Sequence, residues 1–347
     1  MRIAYIDIAR GLAIIAVIAS HTGYLPFSKF LAPFINAWMI PVFVISGGLL
    51  FKPDSGIFVF IQKKFNRLIV PYIMLFSLSL IGWFWIKDGY SKPMLVLTLK
   101  DVSEGFLNGQ GIIFNGPLWF FPPYFLALIL TRLIFPFWKI IGLTGKLIVL
   151  LFIAGIFVII LQPGTKLFFS YDLSVLFLFL ILFGRLLADL KINLKFSVTF
   201  FSILLLVLIA GLYLTGDTNI YSKKFNYPIL YVINSILASL LILSSATYWE
   251  KFGSFAVIQK LGKYSLILMS LHWPIMQWMT YLISLTGVIN QFNTVPTSTN
   301  FFIPSEGPSF GLTLIRISLF SLYLLVPIAA TMLIINLWIR LKNLIFN

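Results

Sequence analysis

The sequence predicts an all-α, polytopic transmembrane helical bundle of about ten spans. Three observations carry that reading. Of its 347 residues 60% are hydrophobic and only 10% are charged, against about 25% charged in soluble domains. The mean hydropathy is +1.02. Apolar runs recur from near residue 11 to residue 337 with only brief polar interruptions, each close to the length of about 20 residues that crosses a bilayer as a helix. One membrane domain is expected over residues 1–347, with no appended soluble domain.

The spans follow in order. The first, near residues 4–23, carries Asp7, Arg10 and His21 and is followed at once by another apolar run. It therefore reads as a retained helix rather than a cleaved leader. The second, near 30–51, holds Ser46, Gly47 and Gly48, small residues that let helices approach closely. The third, near 68–86, follows the basic loop residues Lys63, Lys64 and Arg67. The fourth, near 118–136, starts on Trp119 with Pro122 and Pro123. Trp there is an interfacial anchor by default, and a sugar-stacking platform in the functional alternative. The fifth, near 147–162, is short enough to need tilted neighbours or local thinning of the bilayer. The sixth, seventh and eighth, near 171–189, 197–214 and 227–247, are rich in Leu, Ile, Val and Phe. The ninth, near 266–287, contains His272, Trp273 and Pro274. His272 reads equally as a second site residue or as a packed ring beside a proline kink. The tenth lies near 313–337.

Net charge is +15. In a soluble chain that would raise nucleic acid as a partner, but here the bases sit in short loops and report topology, so no nucleic-acid partner is expected. If the N-terminus is cytoplasmic, most of the 25 lysines and arginines fall inside; Lys29, Lys87, Lys92, Lys100, Lys166, Lys223, Lys224 and Arg316 fall outside. Both termini are then cytoplasmic. The two longest polar loops, 87–117 and 288–312, fall outside and could cover an outward-facing pocket; the second holds Glu306 but neither Lys nor Arg. There is no cysteine, which excludes disulfides, thiol catalysis and thiolate metal sites. No metal and no bound cofactor are expected.

Buried charge on the first helix asks for a function. Arg10 and His21 lie within about 20 degrees of one helical face and about 16.5 Å apart along the axis, with Ile14, Val17 and Ile18 between them. A charge in hydrocarbon costs about 2.5 to 3.5 kcal/mol on insertion scales, so it faces the bundle interior and finds a partner. Asp7, three residues before Arg10, can supply one, and a neutralised structural pair is the bland explanation. Against it stands the stripe shared with His21, a side chain able to accept a proton. A fixed cation at one depth and a base at another suit transfer from a long anionic donor. The cation and nearby bases would hold phosphates, and the base would deprotonate an acceptor hydroxyl. The pantetheine arm of an acyl-CoA has about the right reach.

Five ordered stretches bear a resemblance to a known family: "DIARGLAIIAVIASH", "PVFVISGGLLF" at 41–51, "KKFNRLIVPY" at 63–72, "GPLWFF" at 116–121 and "LGKYSLILMSLHWPI" at 261–275. Together they resemble the integral-membrane acyltransferase 3 family, within it the fucose 4-O-acetylase-like subgroup. The resemblance implies O-acetylation: movement of an acyl group, commonly acetyl, from cytoplasmic acetyl-CoA to a hydroxyl of an extracytoplasmic glycan or glycolipid. It implies a multi-pass protein of the cell membrane, the cytoplasmic membrane of a bacterium, acting in polysaccharide modification of the cell envelope. By analogy His21 is the catalytic base, Arg10 a donor-site or essential pore residue, and Asp7 its orienting or neutralising partner. Lys63, Lys64 and Arg67 stand where the family often shows Arg-x-x-Arg. Here the motif reads Lys64-Phe-Asn-Arg67, so one position loses the bidentate fork of arginine. Ser46 and the glycines after it would seat the second helix beside the first and shape the donor channel. Trp119 and His272 are the candidate acceptor-side or second-site positions, with an interfacial anchor and a packed ring as their respective alternatives.

Two other functions remain open at this stage. A transporter or flippase for a polysaccharide or lipid-linked sugar would also bury charge along its route, and predicts inverted repeats and interrupted helices. An assembly subunit without chemistry would have no need of Arg10 and His21 as a pair.

Overall fold

A computed structural model describes residues 3–22, 28–53, 55–86, 98–110, 112–161, 164–192, 194, 197–216, 218–251, 253, 255–286 and 310–346. Residues 87–97 and 287–309, which hold the start of the first long polar loop, most of the second and Glu306, lie outside the described residues. All the regular elements of the described residues are helical, and one isolated backbone bridge joins Asn219 and Lys224.

Helix α1 spans Ala4–His21. The second run is divided into α2, Ser28–Trp38, and α3, Pro41–Leu49. The sequence reading gives one uninterrupted span here. The break falls where Pro41, at the first position of α3, has no N–H to continue the previous helix. The third run is longer than expected. Helix α4, Ile57–Lys64, passes through a π turn at Phe65–Ile69 into α5, Val70–Ile86, so Lys63, Lys64 and Arg67 are helical residues and not loop residues. Pro71, four residues after Arg67, offers no N–H to the Arg67 carbonyl, and the Val70 N–H reaches back to Phe65 instead. Widening into a π turn is the local answer to that lost bond.

Helix α6, Leu99–Asn108, occupies part of the loop between the third and fourth runs. A reciprocal Thr98 and Asp101 capping box starts it, and Gly109 ends it at φ 69°, a conformation that favours glycine. A 3-10 turn at Gly116–Phe120 feeds α7, Phe121–Ile140, and α8 follows at Leu143–Ile160. Then come α9, Tyr171–Asp189; α10, Val198–Thr215; α11, Pro228–Glu250; the short α12, Ala256–Lys263; α13, Ser265–Ser284; and α14, Phe310–Phe346.

Nine of the described runs are long and apolar enough to cross a membrane. The remaining expected span, the ninth, forms α13 at full spanning length, but His272, Gln277 and its hydroxyl residues dilute its apolarity. The protein is an all-α polytopic helical bundle with two layers. In its most apolar window α9 is 72% buried and α1 61%, whereas α8 is 22% and α14 17% buried. Thus α1 and α9 form the centre, and α8 and α14 turn rows of Leu, Ile and Phe outward, as a lipid-facing surface requires.

Two glycine crossings set the centre. A Cβ on Gly48 of α3 would strike the Ile181 carbonyl of α9, and one on Gly184 would strike the Ile45 carbonyl. On α1, Gly11 meets the Ile258 carbonyl of α12, and Gly262 meets the Asp7 carbonyl in return. Backbone contact of this kind is possible only without side chains. Introducing valine at Gly184 is expected to force α3 and α9 apart and to cost about 1–3 kcal/mol or more, read as a lower Tm in detergent or nanodiscs, while Gly56→Val, where a Cβ meets open space, leaves Tm nearly unchanged.

Candidate active site

His21 is the last residue of α1, and α13 brings two rings to it. The imidazole of His272 stacks on it at 5.4 Å between centroids and 29° between planes. The indole of Trp273 meets it edge-on at 5.0 Å and 86°. His272 is wholly buried. Its Nδ1 lies 2.9 Å from the carbonyl of Leu268, one turn earlier. A carbonyl only accepts, so Nδ1 is the protonated nitrogen. In the neutral ring Nε2 is then a lone pair, and it is buried without a hydrogen-bond partner. The next turn of α13 is tied down by Trp273 Nε1 and Gln277 Nε2, which both donate to the Ile113 carbonyl, at 3.3 and 3.0 Å.

A second cluster forms at the Arg10 level. Arg10 Nε donates to Ser46 Oγ on α3 at 2.7 Å, and the Ser46 hydroxyl in turn donates to the Phe43 carbonyl at 3.0 Å. Ser46 is fully buried, and Asp7 is only 5% exposed. The missing side chain at Gly47 admits the Tyr124 hydroxyl from α7. That hydroxyl lies within electrostatic reach of both Arg10 and Arg67, and Lys64 within reach of Arg67. The π turn places Phe65 against Phe125 of α7, with ring centroids 6.2 Å apart, so it is the widened turn that docks the basic cluster on the bundle. Lys64 lies over the Phe60 ring at 5.1 Å.

Residues 46–48 thus serve three neighbours. Ser46 holds Arg10 of α1, Gly47 admits Tyr124 of α7, and Gly48 packs on α9 rather than on α1. Between the two clusters Ile14, Val17 and Ile18 are at most 3% exposed.

The model of the acyltransferase domain family matches residues 3–336. The chain belongs to the acyltransferase 3 family. No curated protein and no solved structure gives a match. The match covers nearly the whole chain, so this multi-pass membrane acyltransferase carries its family domain on the same helices that hold Arg10 and His21.

For the acyltransferase, the structure draws His21, His272 and Trp273 together, and separately Arg10, Ser46 and Tyr124, with Arg67 and Lys64 beyond. Trp119 sits elsewhere: it is buried among Phe120, Phe177 and Tyr221, with ring centroids 6.0 to 6.3 Å away. Lys63 is exposed. Tyr124 escapes sequence reasoning, because nothing in "FPPYF" indicates that its hydroxyl faces a glycine on another helix. His272 is signalled by its place on an otherwise apolar run and within the stretch "LGKYSLILMSLHWPI", but neither shows that its ring meets that of His21.

Proposed function

We propose that this acyltransferase moves an acyl group, acetyl in the first instance, from a cytoplasmic acyl-CoA to a hydroxyl of an extracytoplasmic glycan or lipid-linked sugar. The supporting observation is that Arg10 and His21, on one face of α1, both engage protein: one meets Ser46 and the other meets His272 and Trp273. With both termini cytoplasmic, Arg10, Arg67, Lys64 and Lys63 form the donor end and bind the phosphates of CoA, and Asp7 balances the Arg10 charge. His21 receives the thioester end. The acceptor oxygen loses its proton to His21 and bonds to the thioester carbonyl carbon. The tetrahedral centre then collapses with cleavage of the C–S bond, and the departing thiolate takes up the proton carried by His21. The products are an O-acyl ester and free CoA. Because Ile14, Val17 and Ile18 are packed in, the donor arm reaches His21 only when a neighbouring helix separates from this stripe.

The test is transfer of radiolabel from acetyl-CoA to candidate glycans by the purified protein in lipid. Arg10→Ala and Arg67→Ala are each expected to raise the KM for acetyl-CoA about tenfold or more, the worth of one charge-assisted contact to phosphate. A folded wild-type protein that labels no hydroxyl compound would overturn the proposal. The interrupted second run, α2 and α3, is the one observation that favours a transporter. Movement of a glycan or lipid-linked sugar across vesicles without acyl transfer would establish that reading instead.

A further inference from the structure

Pro274 lies inside α13. In an uninterrupted helix the N–H of residue 274 would bond the carbonyl of Ser270, and proline has none to give. The orphaned carbonyl is satisfied from outside the helix. Asn115, which precedes the 3-10 turn at Gly116–Phe120 and is fully buried, donates Nδ2 to the Ser270 carbonyl at 2.9 Å. The same amide nitrogen donates to Ser79 Oγ on α5, also at 2.9 Å. Both amide protons are therefore used, and this fixes which end of the amide is nitrogen. The segment carrying Asn115 is held from the other direction by Trp273 and Gln277 at the Ile113 carbonyl. His272 and Trp273, the two residues that meet the His21 ring, lie between Ser270 and Pro274.

We infer that Asn115 is a positioning residue for the proposed acyl transfer. By replacing the bond that Pro274 removes, it fixes the course of α13 through Pro274 and so fixes His272 and Trp273 against His21. The inference rests on the reading of His21 as the base, and it predicts that the residue acts at the acceptor end of the reaction and not at the donor end. Asn115 Oδ1 is buried without a hydrogen-bond partner, in keeping with an amide oriented by its nitrogen alone.

The experiment uses the full chain in nanodiscs with two variants, Asn115→Leu and the isosteric Asn115→Asp, each made also in a Pro274→Ala background, where residue 274 regains its N–H. Steady-state transfer is expected to show kcat reduced about tenfold or more by either single variant, with the KM for acetyl-CoA within about twofold of wild type. In the Pro274→Ala background the same substitutions should lower kcat by no more than about threefold, because the helix now satisfies its own carbonyl. A second readout is independent of activity. The chain has 2 histidines, so 15N-histidine NMR reports His21 and His272 alone. Asn115→Leu should shift both sets of ring resonances, and the Pro274→Ala background should return them toward wild type.

Unchanged histidine resonances in a folded variant, an equal rise in donor KM, or full loss of kcat in both backgrounds would overturn the inference. So would single variants that do not fold and that Pro274→Ala does not rescue. If the wild-type protein transfers no label but the resonances shift as stated, acyl transfer falls and the positioning stands.

Discussion

Replacing His21 with alanine is expected to reduce kcat by about 10²–10⁴-fold, the usual worth of a positioned general base, with donor binding unchanged. The separation of effects follows from the two clusters. Arg10, Ser46 and Tyr124 meet at one level of α1, while His21 meets α13 at its end. Equilibrium binding of acetyl-CoA by calorimetry should give the same Kd for wild type and His21→Ala, and single-turnover labelling should show the lost step. His272→Ala should cost less. Its Nδ1 is committed to the Leu268 carbonyl, and it supports the His21 ring by stacking. If His21→Ala retains more than a tenth of the wild-type rate while still binding donor, the proton goes elsewhere, and the buried Nε2 of His272 becomes the base to examine.

The parts of this architecture that sequence reveals are those written in one dimension. Nine of ten apolar runs are spans, eight of them within a few residues of their expected limits and the third extended back to Ile57, and the shared face of Arg10 and His21 follows from helical geometry alone. What escapes is pairing across sequence distance. The Arg10 contact to Ser46 joins positions 36 apart, and that of Asn115 to Ser270 joins positions 155 apart. Neither leaves a periodic trace. The break before Pro41 and the π turn before Pro71 had a signal in the prolines themselves, but hydropathy averages over both and draws a straight span. Gly11 and Gly262 likewise look like ordinary helix residues until the other backbone is seen against them.

The basic residues illustrate the same point with the largest expected effect on stability. By sequence, Lys223 is one more loop charge. In the structure it is 1% exposed, with Nζ 2.8 Å from Asp172 Oδ2, and Asp172 is fully buried. The same ammonium donates to the Thr165 carbonyl at 2.8 Å, and Asp172 Oδ1 accepts from the Leu173 N–H at 3.0 Å. The pair therefore ties the start of α9 to the short hairpin closed by Asn219 and Lys224. Lys223 holds φ at 55°, a left-handed backbone conformation that side chains other than glycine rarely adopt. Removing one partner leaves the other charge in a dry site, and Lys223→Met or Asp172→Leu is expected to destabilise the fold by about 3–5 kcal/mol. The double variant Asp172→Leu with Lys223→Met removes both charges together and should recover most of that loss. Denaturation of the four proteins in the same detergent would measure this coupling. Because the pair is shielded from solvent ions, the single-variant losses should be nearly the same at low and high salt. Additive losses in the double variant, or single losses that vanish as salt rises, would mean that water reaches the pair and that the start of α9 is held by its backbone contacts instead.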